Sequence, residues 1–218
     1  MGCGLSVICY KTHNPQLTTH NSQLSNMKVS PVLLLLFIAG CAQQKHPATL
    51  TEADKQVYLA KGKTLAQASF AALSSRLSQA IEQGGIAYAA PFCSVTALPL
   101  LDSLSQANNA TIRRTSLKVR NTANEPTRWE KEILLQYEAQ AKGNAALQPI
   151  VKALNDNEVA FAAPITILPL CVKCHGKPGD TMNAADYEAI KKTYPADQAI
   201  GYAEGDLRGM WSIVFERE

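Results

Sequence analysis

Five residues constrain this chain more than any others: Cys171-Val172-Lys173-Cys174-His175. Two thiols three residues apart fit on one turn, with an imidazole next to the second. C-x-x-C-H is the attachment signal for c-type haem. Each thiol adds to one vinyl group, and the adjacent His lies under the iron as an axial ligand. Three other chemistries compete. A zinc knuckle needs four ligands, usually with a second Cys/His pair, and the chain after residue 40 holds no such pair. A thioredoxin-like redox pair opens a helix after a strand and has no need of the His. A structural disulfide is the weakest of the three. The motif therefore predicts one covalent haem c per chain, held by Cys171 and Cys174, with His175 on the metal.

The N-terminus independently predicts export. Residues 32–38 (VLLLLFI) are the one run near membrane length, and they are too short to span a bilayer. Met27-Lys28 supplies a basic start and Ile38-Ala39-Gly40-Cys41 a small-residue exit, as in an export signal. Aliphatic, small, small, Cys resembles the bacterial lipobox, in which the Cys becomes the first mature residue and carries the lipid. Leu36 and Ile38 both suit the aliphatic slot. The expectation is a lipoprotein signal over residues 27–40, lipid on Cys41, a tether over 41–50 and a soluble domain over 51–218. Lipid holds that domain on the periplasmic side of a bacterial membrane. Ala42 favours the outer membrane, by resemblance to enterobacterial sorting. Residues 1–26 are polar, without acids, and read as an upstream extension with translation starting at Met27. Met1-Gly2-Cys3 with Ser6 matches a myristoylation start, but that mark is cytosolic and conflicts with export.

Composition excludes more than it identifies. At 46% hydrophobic and 18% charged, the chain is too apolar for a disordered tail. Six Cys in 218 residues are too few for a disulfide scaffold. Removing residues 1–40 takes away Lys11 and Lys28 and no acid, so the net charge falls from +3 to +1. That balance gives no electrostatic case for nucleic acid.

Four cysteines remain after residue 40. With Cys41 on lipid and Cys171 and Cys174 on haem, Cys93 stands alone in an oxidising compartment. It reads either as an inert thiol among apolar neighbours or as the second axial ligand of the iron. The rival ligands are Met182, Met210, His46 or a Lys. His46 is in the tether, and Met182 is only seven residues past His175. Met210 sits on a strand whose apolar residues face the other way. On chemistry alone Cys93 and Met210 stand level, with an open site third.

The coarse organisation follows from caps and periodicity. Thr51 and Asp54 read as the start of a helix that runs to about residue 83 and ends at Gly84-Gly85. Phe70, Leu73, Leu77, Ala80 and Ile81 share one face, read as core. A second helix covers 97–106. Residues 111–120 alternate, with Arg114, Ser116, Lys118 and Arg120 on one face and Arg113, Thr115, Leu117 and Val119 on the other. This reads as a strand with a basic face. Arg114 and Arg120 are candidate partners for haem propionates, against an ordinary solvated face. Asn124-Glu125-Pro126 is a turn, and Thr127 with Glu130 forms a capping box for a helix through about residue 141. Trp129 and Tyr137 read as core. Asp156-Asn157 turns into an apolar stretch, 159–170. Asn183 opens a short helix that stops at Tyr194-Pro195. Gly205-Asp206 leads into a last strand, 207–215, with Trp211, Ile213 and Phe215 on one face. This order predicts an α+β fold with an antiparallel sheet.

Several of these segments together resemble a family of single-haem c-type, sensor-like domains with a PAS-like fold, found alone or as the extracytoplasmic part of some histidine kinases. They are Ala80-Ile81 leading to Cys93-Ser94; Arg114 through Asn121; Asn124-Glu125-Pro126 with Trp129-Glu130; Pro164-Ile165 running into the Cys171 motif and Gly176; and Tyr194-Pro195, Ala199 through Tyr202 and Gly205 through Gly209. The resemblance covers most of residues 65–216. It implies a sheet of about five antiparallel strands with flanking helices, and axial ligation by His175 and Cys93. Thr122 departs from the family, which usually continues Asn-Pro there.

A thiolate opposite imidazole saturates the iron and lowers its potential. Ferrous iron holds thiolate less well, so departure of Cys93 would open a position for CO or NO. The first expectation is thus a haem-based redox or gas sensor, read out by an unidentified partner protein. Periplasmic electron transfer comes second. A peroxidase-like enzyme comes last, because it needs a distal His/Arg pair and His46 is the only other His after residue 40.

Overall fold

Thr51 caps the first helix. In the computed structural model, which describes residues 49–217 and only the backbone of Cys93 and Ser94, the Thr51 hydroxyl accepts from the Asp54 N–H at 3.1 Å and the Asp54 carboxylate accepts from the Thr51 N–H at 3.1 Å. This reciprocal cap opens helix α1 (Glu52–Ala89). The signal over 27–40, Cys41, His46 and residues 1–26 lie outside the described residues. At Gly84-Gly85 the backbone leaves helical geometry, and Gly85 has a φ of +68°. A side chain disfavours that conformation, which is why glycine makes the break. Two further helices follow, α2 (Phe92–Val95) and α3 (Ala97–Ala107).

The sheet has four antiparallel strands: β1 (Ala110–Thr115), β2 (Ile150–Ala153), β3 (Glu158–Thr166) and β4 (Leu207–Glu216), in the order β1-β4-β3-β2. β4 runs between β1 and β3, with Arg114 opposite Trp211 and Phe161 opposite Ile213. Alternation along β4 sends Trp211, Ile213 and Phe215 to one face, as the pattern predicts. There they meet Tyr58, Ala66 and Leu73 of α1, Leu101 of α3 and Phe161 of β3. Phe161 and Ile213 are fully buried, each contributing roughly 1.5–3 kcal/mol.

The other face is covered by α4 (Arg128–Lys142), which starts at the Thr127 cap with the Glu130 carboxylate 2.7 Å from the Thr127 N–H. Ile133, Leu134 and Tyr137 pack there against Ala162 and Met210. Arg113 points to this side as well, 3.5 Å from the buried Glu130 carboxylate. Two short helices complete the chain between β3 and β4: α5 (Pro169–His175) and α6 (Ala184–Thr193), the latter capped by Asn183. Ile86, Met182, Ile190 and Tyr194 form a third cluster that ties the end of α1 to α6.

The fold is α+β with helices on both faces of an antiparallel sheet, consistent with the PAS-like expectation. Four strands stand among the described residues where about five were implied. Residues 111–120 do not form one strand: β1 stops at Thr115. The Ser116 hydroxyl accepts from the Lys118 N–H at 3.1 Å, turning the chain locally. The following residues bond to the segment after α6 instead, through Gln198 N–H to Val119 O at 3.0 Å.

Candidate functional site

The three motif residues lie on α5, which Pro169 opens at a position where its missing N–H costs nothing. Its C-terminal carbonyls are taken up by the segment before β4. Gly201 N–H donates to Gly176 O at 2.9 Å and Tyr202 N–H to His175 O at 3.0 Å. Gly176 must be glycine, because a Cβ there would collide with Val172 O and Thr181 Oγ1.

Cys171, Cys174 and His175 are half-buried on the wall of a cleft of about 240 Å³. One side of it is α1, through Phe70, Leu73, Leu77 and Ile81. Ala89, Ala90 and Phe92 continue that wall past the glycine break. Ile165, Ile167, Leu168 and Trp211 supply the sheet side, and Ile190 comes from α6. At one end the lining turns cationic, with Arg114, Arg120 and Arg208.

His175 Nδ1 is 2.8 Å from Ala199 O. A carbonyl only accepts, so Nδ1 carries the proton and Nε2 keeps its lone pair. Burial holds the His175 pKa well below the ordinary histidine value; the charges of Arg208 and Arg120 add to this, and the Ala199 bond opposes it. The ring is therefore neutral at pH 7, the form that binds metal.

Arg120 organises this loop. Its guanidinium pairs with Asp197 at 3.1 Å and donates to Cys174 O and, at 3.2 Å, to Ala199 O. Asp197 in turn accepts from the Ala199 N–H at 2.8 Å. Arg114 and Arg208 are spent differently. Arg114 lies over the Trp211 ring, 6.0 Å from its centre, and its Nε is buried without a hydrogen-bond partner. Arg208 donates to Lys118 O at 3.0 Å and lies 5.6 Å from the centre of the Tyr202 ring.

The donor set fits the group that the motif predicts. Two thiols and an oriented neutral imidazole lie on one wall, mostly apolar side chains line the rest, and Arg114 stands at the cationic end with its buried Nε–H lacking an acceptor. Such a site can hold a flat apolar ring by its edge, supply a nitrogen ligand, and neutralise anionic substituents.

The Tll0287-like family profile matches residues 41–215. The chain belongs to the Tll0287-like family. A solved structure similar to this Tll0287-like chain is the crystal structure of the cyanobacterial haem protein Tll0287. It is 22% identical, the match covers 70% of this chain and 95% of that one, and the TM-score is 0.46. No curated protein matches the chain.

Five of the predicted site residues meet in this Tll0287-like cleft: Cys171, Cys174, His175, Arg114 and Arg120. The backbone of Cys93 lies in α2, one residue from the cleft-lining Phe92. Met210 is buried with Ile133, Leu134 and Tyr137, on the sheet face away from Trp211 and the cleft. Met182 is buried in the cluster with Ile190 and Tyr194. Neither basic residue of the candidate pair belongs to a solvated strand face; the Arg120 side chain is only 9% exposed. Two features escaped the sequence reading. The α1 stripe, read as core, is in part the cleft wall, and Phe70 is 45% exposed. Arg208 was not singled out, although it is the one charge in the otherwise uncharged run 207–215.

Proposed function

We propose that the chain is an exported, lipid-anchored protein carrying one covalent haem c, and that it acts as a redox or gas sensor through exchange of an axial ligand. The observation that carries the haem reading is the convergence of Cys171, Cys174 and a neutral, oriented His175 on one apolar cleft. The protein that names the family is itself titled a haem protein. The family match begins at Cys41, the residue that the lipobox pattern makes the first of the mature chain.

When bound, haem would supply a redox-active iron able to take a small gas such as CO or NO. The chain supplies the rest. Cys171 and Cys174 would hold the group through thioethers. Ala199 O fixes the His175 ring and leaves Nε2 free to bind. Cys93 is the second ligand in this reading. It belongs to α2, only four residues long, between the Gly84-Gly85 break and α3. A ligand on such a short element can leave with little rearrangement of the sheet.

Electron transfer is the second reading. Phe70, Leu168 and Leu170 line the cleft and remain 45%, 44% and 38% exposed, an apolar rim at which a redox partner can dock.

Spectra of the ferric form, the reduced form and the reduced form under CO separate the two. Sensing predicts that the reduced protein takes up CO. A reduced spectrum indifferent to CO places electron transfer first. Cys93→Ala is expected to change the ferric spectrum and admit added ligands; an unaltered spectrum removes Cys93 from the iron.

A further inference from the structure

Resting on the haem reading above, we propose that Arg114 and Arg208 hold the two haem carboxylates, and that Arg120, the other basic residue of the cleft, does not. The three cations differ in what already neutralises them. Arg120 is matched by Asp197 at 3.1 Å and spends its remaining donors on two backbone carbonyls. It is a positioning residue for the loop that orients His175. Arg114 and Arg208 have no carboxylate partner among the described residues. The Arg114 Nε–H is buried with nothing to donate to. Arg208 spends one of its donors on Lys118 O and presents a face to Tyr202.

A half-buried cation with no carboxylate in ion-pair contact is costly. Burial pulls the Arg208 pKa below its ordinary value and the charges of Arg120 and Arg114 reinforce it, while Tyr202 and, more weakly, the Asp197 carboxylate oppose it. Such an arrangement is stable once anions arrive. Both side chains line the same cleft as the motif thiols, one from β1 and one from β4, and Arg114 is registered opposite Trp211, three residues beyond Arg208. The planar guanidinium fork matches a carboxylate. Haem brings two carboxylates on adjacent ring positions, which is the number of cleft-lining arginines without an ion-pair partner.

The test is the pH dependence of the reduction potential of the haem-loaded full chain. The charged and titratable groups at this end of the cleft are Arg114 on β1, Lys118 and Arg120 after it, Asp197 and Tyr202 before β4, and Arg208 on β4. A cation in contact lowers a carboxylate pKa by about one to three pH units. Arg208→Gln is therefore expected to move one titration step upward by that amount, and Arg208→Lys to return most of it. Should Arg208→Gln not load haem, Arg114→Gln is read in the same way. A loaded variant whose titration ignores both substitutions overturns the assignment. So does a step that follows Arg120→Gln instead, or a wild-type step that shifts with phosphate at constant ionic strength, which makes the anion a solvent phosphate. A wild-type chain without haem c bands overturns the underlying reading too. That result is visible before any titration.

Discussion

Replacing Asp197 with Ala removes the acid that neutralises Arg120. The pair is 3.1 Å apart, with side chains 1% and 9% exposed, so solvent screens it poorly. Removing one partner of a buried pair costs about 3–5 kcal/mol, because the other charge is left uncompensated. The Ala199 N–H loses its acceptor as well. In a domain of this size each kcal/mol moves the melting temperature by about 2–4 °C. Asp197→Ala is thus expected to melt about 10 °C below wild type, followed by far-ultraviolet circular dichroism. Asp197→Asn keeps an acceptor for Ala199 and should fall between the two. A double variant, Arg120→Met with Asp197→Ala, removes both charges and should recover much of the loss. An Asp197→Ala protein that melts within about 2 °C of wild type refutes the reasoning, since each lost kcal/mol should move the midpoint by that much. A double variant less stable than the single refutes it equally.

Other expectations are equally concrete. Burial pushes the Tyr137 pKa above its ordinary value of 10.0, so the unfolded chain ionises first and stability is lost as pH rises past that value. Tyr137→Phe should flatten this alkaline slope in urea midpoints and cost about 1 kcal/mol at neutral pH, since the hydroxyl bonds Gln148 O at 2.9 Å; an unchanged slope sinks the idea. Gly62→Ala sets a methyl group into the fully buried Phe161 ring. A loss of about 1–3 kcal/mol in urea unfolding is expected, and an unaffected midpoint argues against so close an approach of α1 to β3. Cys41→Ser should release the protein from membrane fractions, and persistent sedimentation with membranes contradicts lipid anchoring.

Local chemistry made much of this fold legible. Thr51, Thr127 and Asn183 cap helices because a short polar side chain before a helical run satisfies its first N–H groups, whatever lies beyond. Trp211, Ile213 and Phe215 declare a strand face by alternation alone. The motif on α5 is a local signal too, and it led directly to one wall of the cleft. What stayed hidden depends on distant partners. β2 is four residues long, half-buried and without a distinct alternation, so only pairing with β3 marks it as a strand. β1 ends at Thr115 because the Ser116 hydroxyl and the segment after α6 compete for the backbone. Helical spacing shows that Phe70, Leu73, Leu77 and Ile81 share a face; it does not distinguish protein core from a cleft wall. Arg114, Arg120 and Arg208 look alike in sequence, and only Asp197, far along the chain, separates the neutralised cation from the two that are not.

Covalent attachment is the measurement that bears most directly on the central claim. The full chain is expressed in a periplasm that matures haem c, denatured, extracted with acidic acetone, and its reduced pyridine spectrum recorded. One haem per chain should stay with the polypeptide, and Cys171→Ser with Cys174→Ser should abolish it. Haem that leaves with the solvent, or a protein that carries none, contradicts the account.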